Sequence, residues 1–486
     1  MNSFKLLTYI ICFALLSDCG SHKTKSPNII FILADDLGWA DLPVYGNKFN
    51  EAPNLDKMAL EGKTFINAYA ACPVCSPTRA SIMSGQYPVR VGVIDFIPGH
   101  WRPNEKVIVP QNRTQYLPAD IYTIGEAIKD AGYVTGYFGK WHLGSKEPHH
   151  PSNQGFDVAY EYAGGGYYNP RFRPERKIDL SKRLSELLTD YGVDFIEKNQ
   201  DKPFLLFLAH YDVHVQLDAD SVLIQKYLNK EKVNDYPGNA VYAAMIEHLD
   251  NSVGRIIHKL DELELSKNTI VIFFSDNGGL ISRFDKIPLL VNSKQHIYKG
   301  DTLLYVSSSN NPLRAEKGTL FEGGIREPLI VKWPDKIPAG TKSDAIVCSV
   351  DFFPTLVELA GGTLPEQQIL DGKSIIPELI RDEYNSERTI FWHYPVYHHD
   401  VPASAVRKGD WKLIHNLVDN SLQLYNLSND IGETNNLAEL NKEKVNELYQ
   451  LLEEWRKDTK AELPVENPDY DPEKRYLWGK HPGRVR

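Results

Sequence analysis

Short, unbroken apolar runs that end in polar residues recur along this chain. Residues 28–34 (NIIFILA) lead into Asp35 and Asp36, 204–209 (FLLFLA) into His210, and 269–275 (TIVIFFS) into Asp276 and Asn277. Runs of this length without a polar face suit strands covered on both sides, as in a parallel sheet. Further strands are predicted over 133–138, which ends in the glycine-bounded turn GKWHLG with Lys140 and His142, and over 327–333. Between them lie helical patterns. Residues 240–260 place apolar side chains at 241, 245, 249, 253, 256, 257 and 260; segment 123–132 pairs Thr123 with Glu126 at capping-box spacing and stops at Gly132; 351–362 carries Pro354 in its first turn and ends at Gly361. Strands alternating with helices predict an α/β fold with a large, mostly parallel sheet, whose ligand site lies beyond the carboxyl ends of the strands.

Beyond about residue 380 the texture changes to short strands joined by Gly, Asn and Asp turns (390–395, 404–415, 422–427), followed by a helix over 441–456. A boundary is therefore placed near 375, with a larger domain over 27–375 and a smaller α+β domain, an antiparallel sheet plus a helix, over 376–486. The length of 486 residues agrees, because single cores stop growing at roughly 250–300. Two stretches look like excursions rather than scaffold: 145–200, rich in Gly, Tyr, Arg and Pro, is read as a substrate-side excursion, and 281–311 as a long loop.

The first 26 residues read as a signal and tether. Lys5 precedes an apolar run over 6–16 that is too short to span a bilayer, and Cys19 follows as at a lipoprotein cleavage site, although Asp18 departs from the small residue expected there. Export to a periplasmic or cell-surface location, with a possible lipid anchor through Cys19, is the expectation. Of the five cysteines, Cys72, Cys75 and Cys348 remain in the folded body, too few for a disulfide framework. The net charge of −10 argues against a nucleic-acid partner.

Candidate chemistry concentrates around CSPTRASIMSG, residues 75–85. Pro77 and Gly85 mark the first turn and the end of a short helix, so Cys75 sits where backbone N–H groups and the helix dipole favour negative charge. Arg79 lies one turn on. Cys72 with Cys75 also forms CPVC, which leaves a redox dithiol as a rival. The adjacent acids Asp35 and Asp36, and the oxygen pair Asp276 and Asn277, each end a buried strand; helix or turn caps explain either pair alone, whereas their repetition points to a hard metal ion.

These segments, together with LRAEKGTLFEGGIREP and the later RKGDWKLI, resemble the type I sulfatases, whose C-x-P-x-R signature marks a cysteine oxidised to formylglycine. The resemblance spans about 27–440 and implies an alkaline phosphatase-like catalytic sulfatase domain over 27–375. It implies a calcium ion held by Asp35, Asp36, Asp276 and Asn277 and completed by residue 75. It also implies Cys75 as the formylglycine (3-oxoalanine) nucleophile aided by Arg79, with Lys140 and Lys317 clamping sulfate. His214 with Lys317 would protonate the leaving alcohol, and His142 would expel sulfate from the hydrate. Choosing His214 over His210 rests on alignment. Glu316 beside Lys317 departs from the family's glycine, with an expected effect on the lysine's charge or on substrate choice. His393, His398 and His399 are candidates for contacting the substrate. The expected substrate is a sulfated carbohydrate, and the expected partner a formylglycine-generating maturation enzyme. Phosphonate or phosphate monoester hydrolysis and a catalytically dead glycan-binding lipoprotein are the alternatives.

Overall fold

The computed structural model describes residues 26–477 except Asn112 and Phe284. The signal segment and Cys19 lie outside the described residues. The strands, in chain order, are β1 (Asn28–Ala34), β2 (Lys63–Tyr69), β3 (Val107–Ile108), β4 (Val134–Gly139), β5 (Val158–Tyr162), β6 (Phe172–Arg173), β7 (Phe204–Ala209), β8 (Thr269–Ser275), β9 (Leu329–Lys332), β10 (Thr341–Cys348), β11 (Thr389–Tyr394), β12 (Ala403–Lys408), β13 (Trp411–Asn416), β14 (Leu422–Asn426) and β15 (Val465–Glu466). Nine of them form one sheet in the order β10-β2-β9-β8-β1-β7-β4-β5-β6. Only β9 and β6 run antiparallel to their neighbours, so the sheet is mixed and mostly parallel, as expected.

The unbroken apolar character of β1 has a direct cause in its packing. Ile30, Ile32 and Ala34 face one core beneath the helices Pro53–Leu60, Leu184–Asn199 and Ala240–Glu262. Ile29, Phe31 and Leu33 face a second core beneath Cys75–Ser84, Ile124–Asp130 and Phe352–Leu359. A strand whose alternate side chains enter two cores has no polar face to display. At its end the chain leaves the sheet and polar residues take over.

The second unit is a four-stranded antiparallel sheet, β11-β12-β13-β14, with the helix Lys442–Thr459 against it. Its core is shared with the first unit: Tyr69, Val74, Ile325 and Val350 pack with Trp392, Leu413 and Leu448. Ile375 and Leu379 pack under the large sheet, so the helix Ile376–Arg381 joins the first unit, and the antiparallel sheet starts at Thr389.

Two expectations need correcting. The stretch 145–200 is a substrate-side excursion only in its first half; Leu184–Asn199 is a core helix, because Leu184, Leu187, Leu188, Phe195 and Ile196 recur at helical spacing. The 281–311 segment contains two 3-10 turns, Asn292–Tyr298 and Thr302–Leu304, and buries Leu289, Leu290 and Tyr298.

Candidate active site

The ends of β1, β4, β7 and β8 converge on the N-terminus of the Cys75–Ser84 helix. Two close backbone approaches bring them together. Gly139, at φ +120°, lies where a Cβ would stand 1.8 Å from the Ala209 carbonyl oxygen, which lets the Lys140 turn fold against β7. A Cβ on Gly278 would stand 2.0 Å from the Gly323 carbonyl oxygen, so only a glycine lets the 314–325 turn and its Lys317 close over Asn277.

Asp35, Asp36 and Asp276 offer oxygens within 4.8 Å of one another, and so do ligand atoms of Asp35, Cys75 and His214. All three carboxylates are buried. Lys140 Nζ donates to Asp35 Oδ2 at 2.6 Å, Lys317 Nζ to Asp36 Oδ1 at 2.6 Å, and Arg79 to Asp276 Oδ2 through Nε at 2.8 Å and to the Lys140 carbonyl at 2.5 Å. Asn277 Nδ2 donates to Asp36 Oδ1 at 2.8 Å. Burial raises the Asp35 carboxyl to about 7 against the pull of Lys140, with Asp276 adding to the rise. For Asp36 burial acts in the same sense, but Lys317, then His214 and Lys140, outweigh it and hold the carboxyl well below the usual range.

Two oxygens show that this cluster fits a cation. Asp35 Oδ1 and Asn277 Oδ1 are buried without a hydrogen-bond partner among the described residues. A stranded buried acceptor is costly, and a hard metal ion bound by oxygens satisfies both. The charges agree, since three carboxylates and the three cations Arg79, Lys140 and Lys317 cancel, and a divalent ion leaves a positive site for an anion.

The histidines divide clearly. His142 Nε2 lies 2.5 Å from the Ile97 carbonyl oxygen, so it carries the proton, and Nδ1 is left as a buried lone pair with no partner among the described residues. Burial, followed by Lys140, pushes its imidazole far below the usual range, which keeps it neutral. His214 Nδ1 lies 2.5 Å from the Val215 carbonyl oxygen, and its Nε2 is 3.6 Å from Asp36 Oδ2. His210 is fully buried, bonded to Ser252 Oγ at 3.0 Å, and does not line the cavity.

Cys75, Lys140, His142, His214 and Lys317 all line one cavity of about 500 Å3. Cys72 does not, and it packs in the core of the second unit. Both thiols are free and buried, and burial pushes each above the usual cysteine range, the reverse of what a reactive dithiol needs. His398 and His399 line the outer cavity, but His393 does not: it is buried between Ser404 Oγ and the Glu462 carbonyl oxygen. Glu316 turns away from Lys317 and accepts from the backbone N–H groups of Ile281 and Ser282 at 2.6 and 2.9 Å, fixing one end of the 281–311 segment. Sequence reasoning missed Ser145, Glu161, Arg173 and Tyr211 in the cavity wall. Glu161 had a usable signal: it is the one charged residue of the VAYEY strand, next to a glycine-rich loop.

A cavity at the carboxyl edge of an α/β sheet that gathers a buried thiol, two lysines, two histidines and three carboxylates able to hold a cation suits chemistry on an anionic ester. Residues 27–362 match the family described as Sulfatase, and residues 315–461 match that described as N-sulphoglucosamine sulphohydrolase, C-terminal. The chain belongs to the sulfatase family, and it is a sulfuric ester hydrolase. It is 33% identical to a sulfatase of Formosa agariphila over 90% of each chain. It is also 33% identical to human N-acetylgalactosamine-6-sulfatase, over 77% of this chain and 69% of that one. The crystal structure of Ps i-CgsB in complex with k-i-k-neocarrahexaose matches with a TM-score of 0.74 and 29% identity, covering 92% of this chain and 95% of the other.

Proposed function

We propose that the protein hydrolyses sulfate esters of a carbohydrate, using a calcium ion and a formylglycine formed at Cys75 by a maturation enzyme. The observation that carries this reading is the placement of an uncharged, buried Cys75 between a hard-oxygen cluster and the lysine clamp, where a thiolate is disfavoured and an oxygen nucleophile fits. Asp35, Asp36, Asp276 and Asn277, with residue 75, would hold the ion. When bound, the ion supplies positive charge that favours an ionised oxygen nucleophile and offsets the charge of the ester.

The chain's own groups account for the remaining work. Lys140 and Lys317 bring two ammonium groups to the cavity floor for the sulfate oxygens, and burial makes each worth more than it is in water. Arg79, locked on Asp276 and the Lys140 carbonyl, fixes the relative position of the nucleophile helix and the β4 turn. His142 takes a proton at Nδ1, since its Nε2–H is held by Ile97. His214 faces the cavity through Nε2 and gives a proton to the departing oxygen. Burial holds its imidazole well below the usual range, so it becomes a donor once the anionic ester has brought its charge into the cavity.

The carbohydrate assignment draws support from the relatives' printed names and from a cavity of about 500 Å3, walled in part by Tyr162 and Tyr211. Export and tethering through Cys19 belong to the same proposal; finding the protein in the soluble cytoplasmic fraction of its host overturns them. Release of inorganic sulfate from an aryl sulfate and from defined sulfated oligosaccharides, measured beside phosphate release from an aryl phosphate, tests the central reading. Sulfate release that falls on chelation and returns with calcium is expected, and a large preference for the phosphate ester overturns it.

A further inference from the structure

Glu161 is not used by the chemistry described so far, yet it lies in the wall of the same cavity. It is the penultimate residue of β5 and pairs with Gly139 of β4, directly beside the turn that presents Lys140 and His142. The side chain is 4% exposed. Ser145 Oγ donates to Oε1 at 2.6 Å, whereas Oε2 has no hydrogen-bond partner among the described residues. Arg173 Nη1 stands 3.6 Å from Oε2, beyond hydrogen-bond reach but close enough to offset its charge, and the His150 imidazole Nε2 lies 3.9 Å away.

These facts restrict what Oε2 can receive. A carboxylate oxygen only accepts, so the missing partner is a donor. With Arg173 already near, a second cation is not called for, and a neutral O–H fits best. The wall between this oxygen and the catalytic end is aromatic: Tyr162 lies 4.9 Å from Tyr211, which stacks on His214 at 4.8 Å. Aromatic faces followed by a carboxylate acceptor suit the C–H face and then a hydroxyl of one sugar ring.

We infer that Glu161 is a specificity-determining residue, which accepts a hydrogen bond from a free hydroxyl of the sugar that carries the scissile sulfate. The preferred substrate class is then a sugar sulfated at the cleaved position and left as a free hydroxyl at the position that meets Glu161. A second sulfate or a carboxylate there has no proton to give and is rejected. This inference rests on the sulfatase reading proposed above.

The test uses the mature full-length enzyme, a methyl glycoside monosulfate that it cleaves, the singly deoxygenated analogues of that glycoside, and 4-nitrophenyl sulfate. Wild-type kcat/KM is expected to fall by about tenfold or more for one deoxy analogue, as loss of a hydrogen bond to a charged group requires. In Glu161→Leu, whose side chain has similar bulk and no acceptor, that analogue and its parent should be cleaved at nearly equal rates. The drop on the glycoside caused by the substitution should also exceed its drop on 4-nitrophenyl sulfate by about tenfold. A merely structural role for Glu161 would lower both substrates alike, and that result overturns the inference. So does a wild-type enzyme indifferent to every deoxygenation, a measurement that needs no variant to fold. Absence of sulfate release from any of these probes overturns the sulfatase reading itself and the inference with it.

Discussion

Replacing Lys412 with methionine should destabilise the whole protein through a contact far from the nucleophile. Lys412 sits on β13 with its side chain fully buried, donates to Glu322 Oε1 at 2.8 Å and forms an ion pair with Glu433 Oε1, also at 2.8 Å. Both carboxylates are themselves fully buried, and Glu433 Oε2 accepts the Glu322 N–H at 2.7 Å. Lys412→Met therefore leaves Glu433 with no ion-pair partner among the described residues and Glu322 with Arg326 alone, at 3.3 Å, and neither acid has a route to water. Breaking a buried ion pair from one side costs about 3–5 kcal/mol. For a chain of this size unfolding as one unit, that corresponds to about 3–5 °C in Tm. The segment disturbed is the 314–325 turn that carries Lys317, so kcat/KM for sulfate release should fall as well. Thermal unfolding of Lys412→Met beside the double variant Lys412→Met/Glu433→Gln separates the stranded charge from lost packing, because Glu322 and Arg326 keep each other as counter-ions. Recovery of most of the lost Tm in the double variant is expected. A Tm for Lys412→Met within about 1 °C of the parent would refute the reasoning.

Other outcomes follow from the same geometry. Burial raises the Glu316 carboxyl from 4.5 to about 7, against the pull of its bonds to Ser282 and Ile281. Between those values the folded chain holds a proton that the unfolded chain has released, so stability falls as pH rises through that window, by up to about 3 kcal/mol. Glu316→Gln removes this slope, and the Tm of the variant minus that of the parent should grow from pH 4.5 to 7; a constant difference contradicts it. His142→Ala removes the Nδ1 acceptor and should lower kcat by about 10²–10⁴ with little change in Tm, measured by sulfate release and thermal unfolding. A loss that instead tracks a large fall in Tm would assign His142 to the scaffold.

The framework of the site was legible because it is encoded at strand ends. Asp35, Asp36, Asp276 and Asn277 each follow a run of apolar residues that has no polar face, and the break in that run marks where the chain leaves the sheet. Lys140, His142 and Lys317 stood out for the glycines beside them, which the close approach at Gly139 and the positive φ of Gly318, +81°, explain. Side-chain direction was not legible. His393, His398 and His399 share one stretch, yet His393 points into the second unit and the other two into the cavity, a difference set by the pairing of β11 with β12. His210 and His214 differ for a similar reason: His210 continues the register of β7 into the core, whereas His214 comes after the chain has turned. Glu161 carried a local signal as the one charged residue of its strand, but its place in the site depends on β5 lying beside β4, a long-range pairing that the local pattern does not give. The helix Leu184–Asn199 was hidden by a composition that elsewhere in 145–200 does describe loops.

The central claim is that the residue encoded as Cys75 works as an oxygen nucleophile. Mass spectrometry of the tryptic peptide that ends at Arg79, taken from protein made with and without a maturation enzyme and paired with sulfate release from the same samples, tests it most directly. The account predicts that sulfate release rises in proportion to the fraction of peptide in which the Cys75 thiol has become an aldehyde. Full sulfatase activity in protein whose Cys75 is entirely an unmodified thiol, or is joined to Cys72, would contradict it.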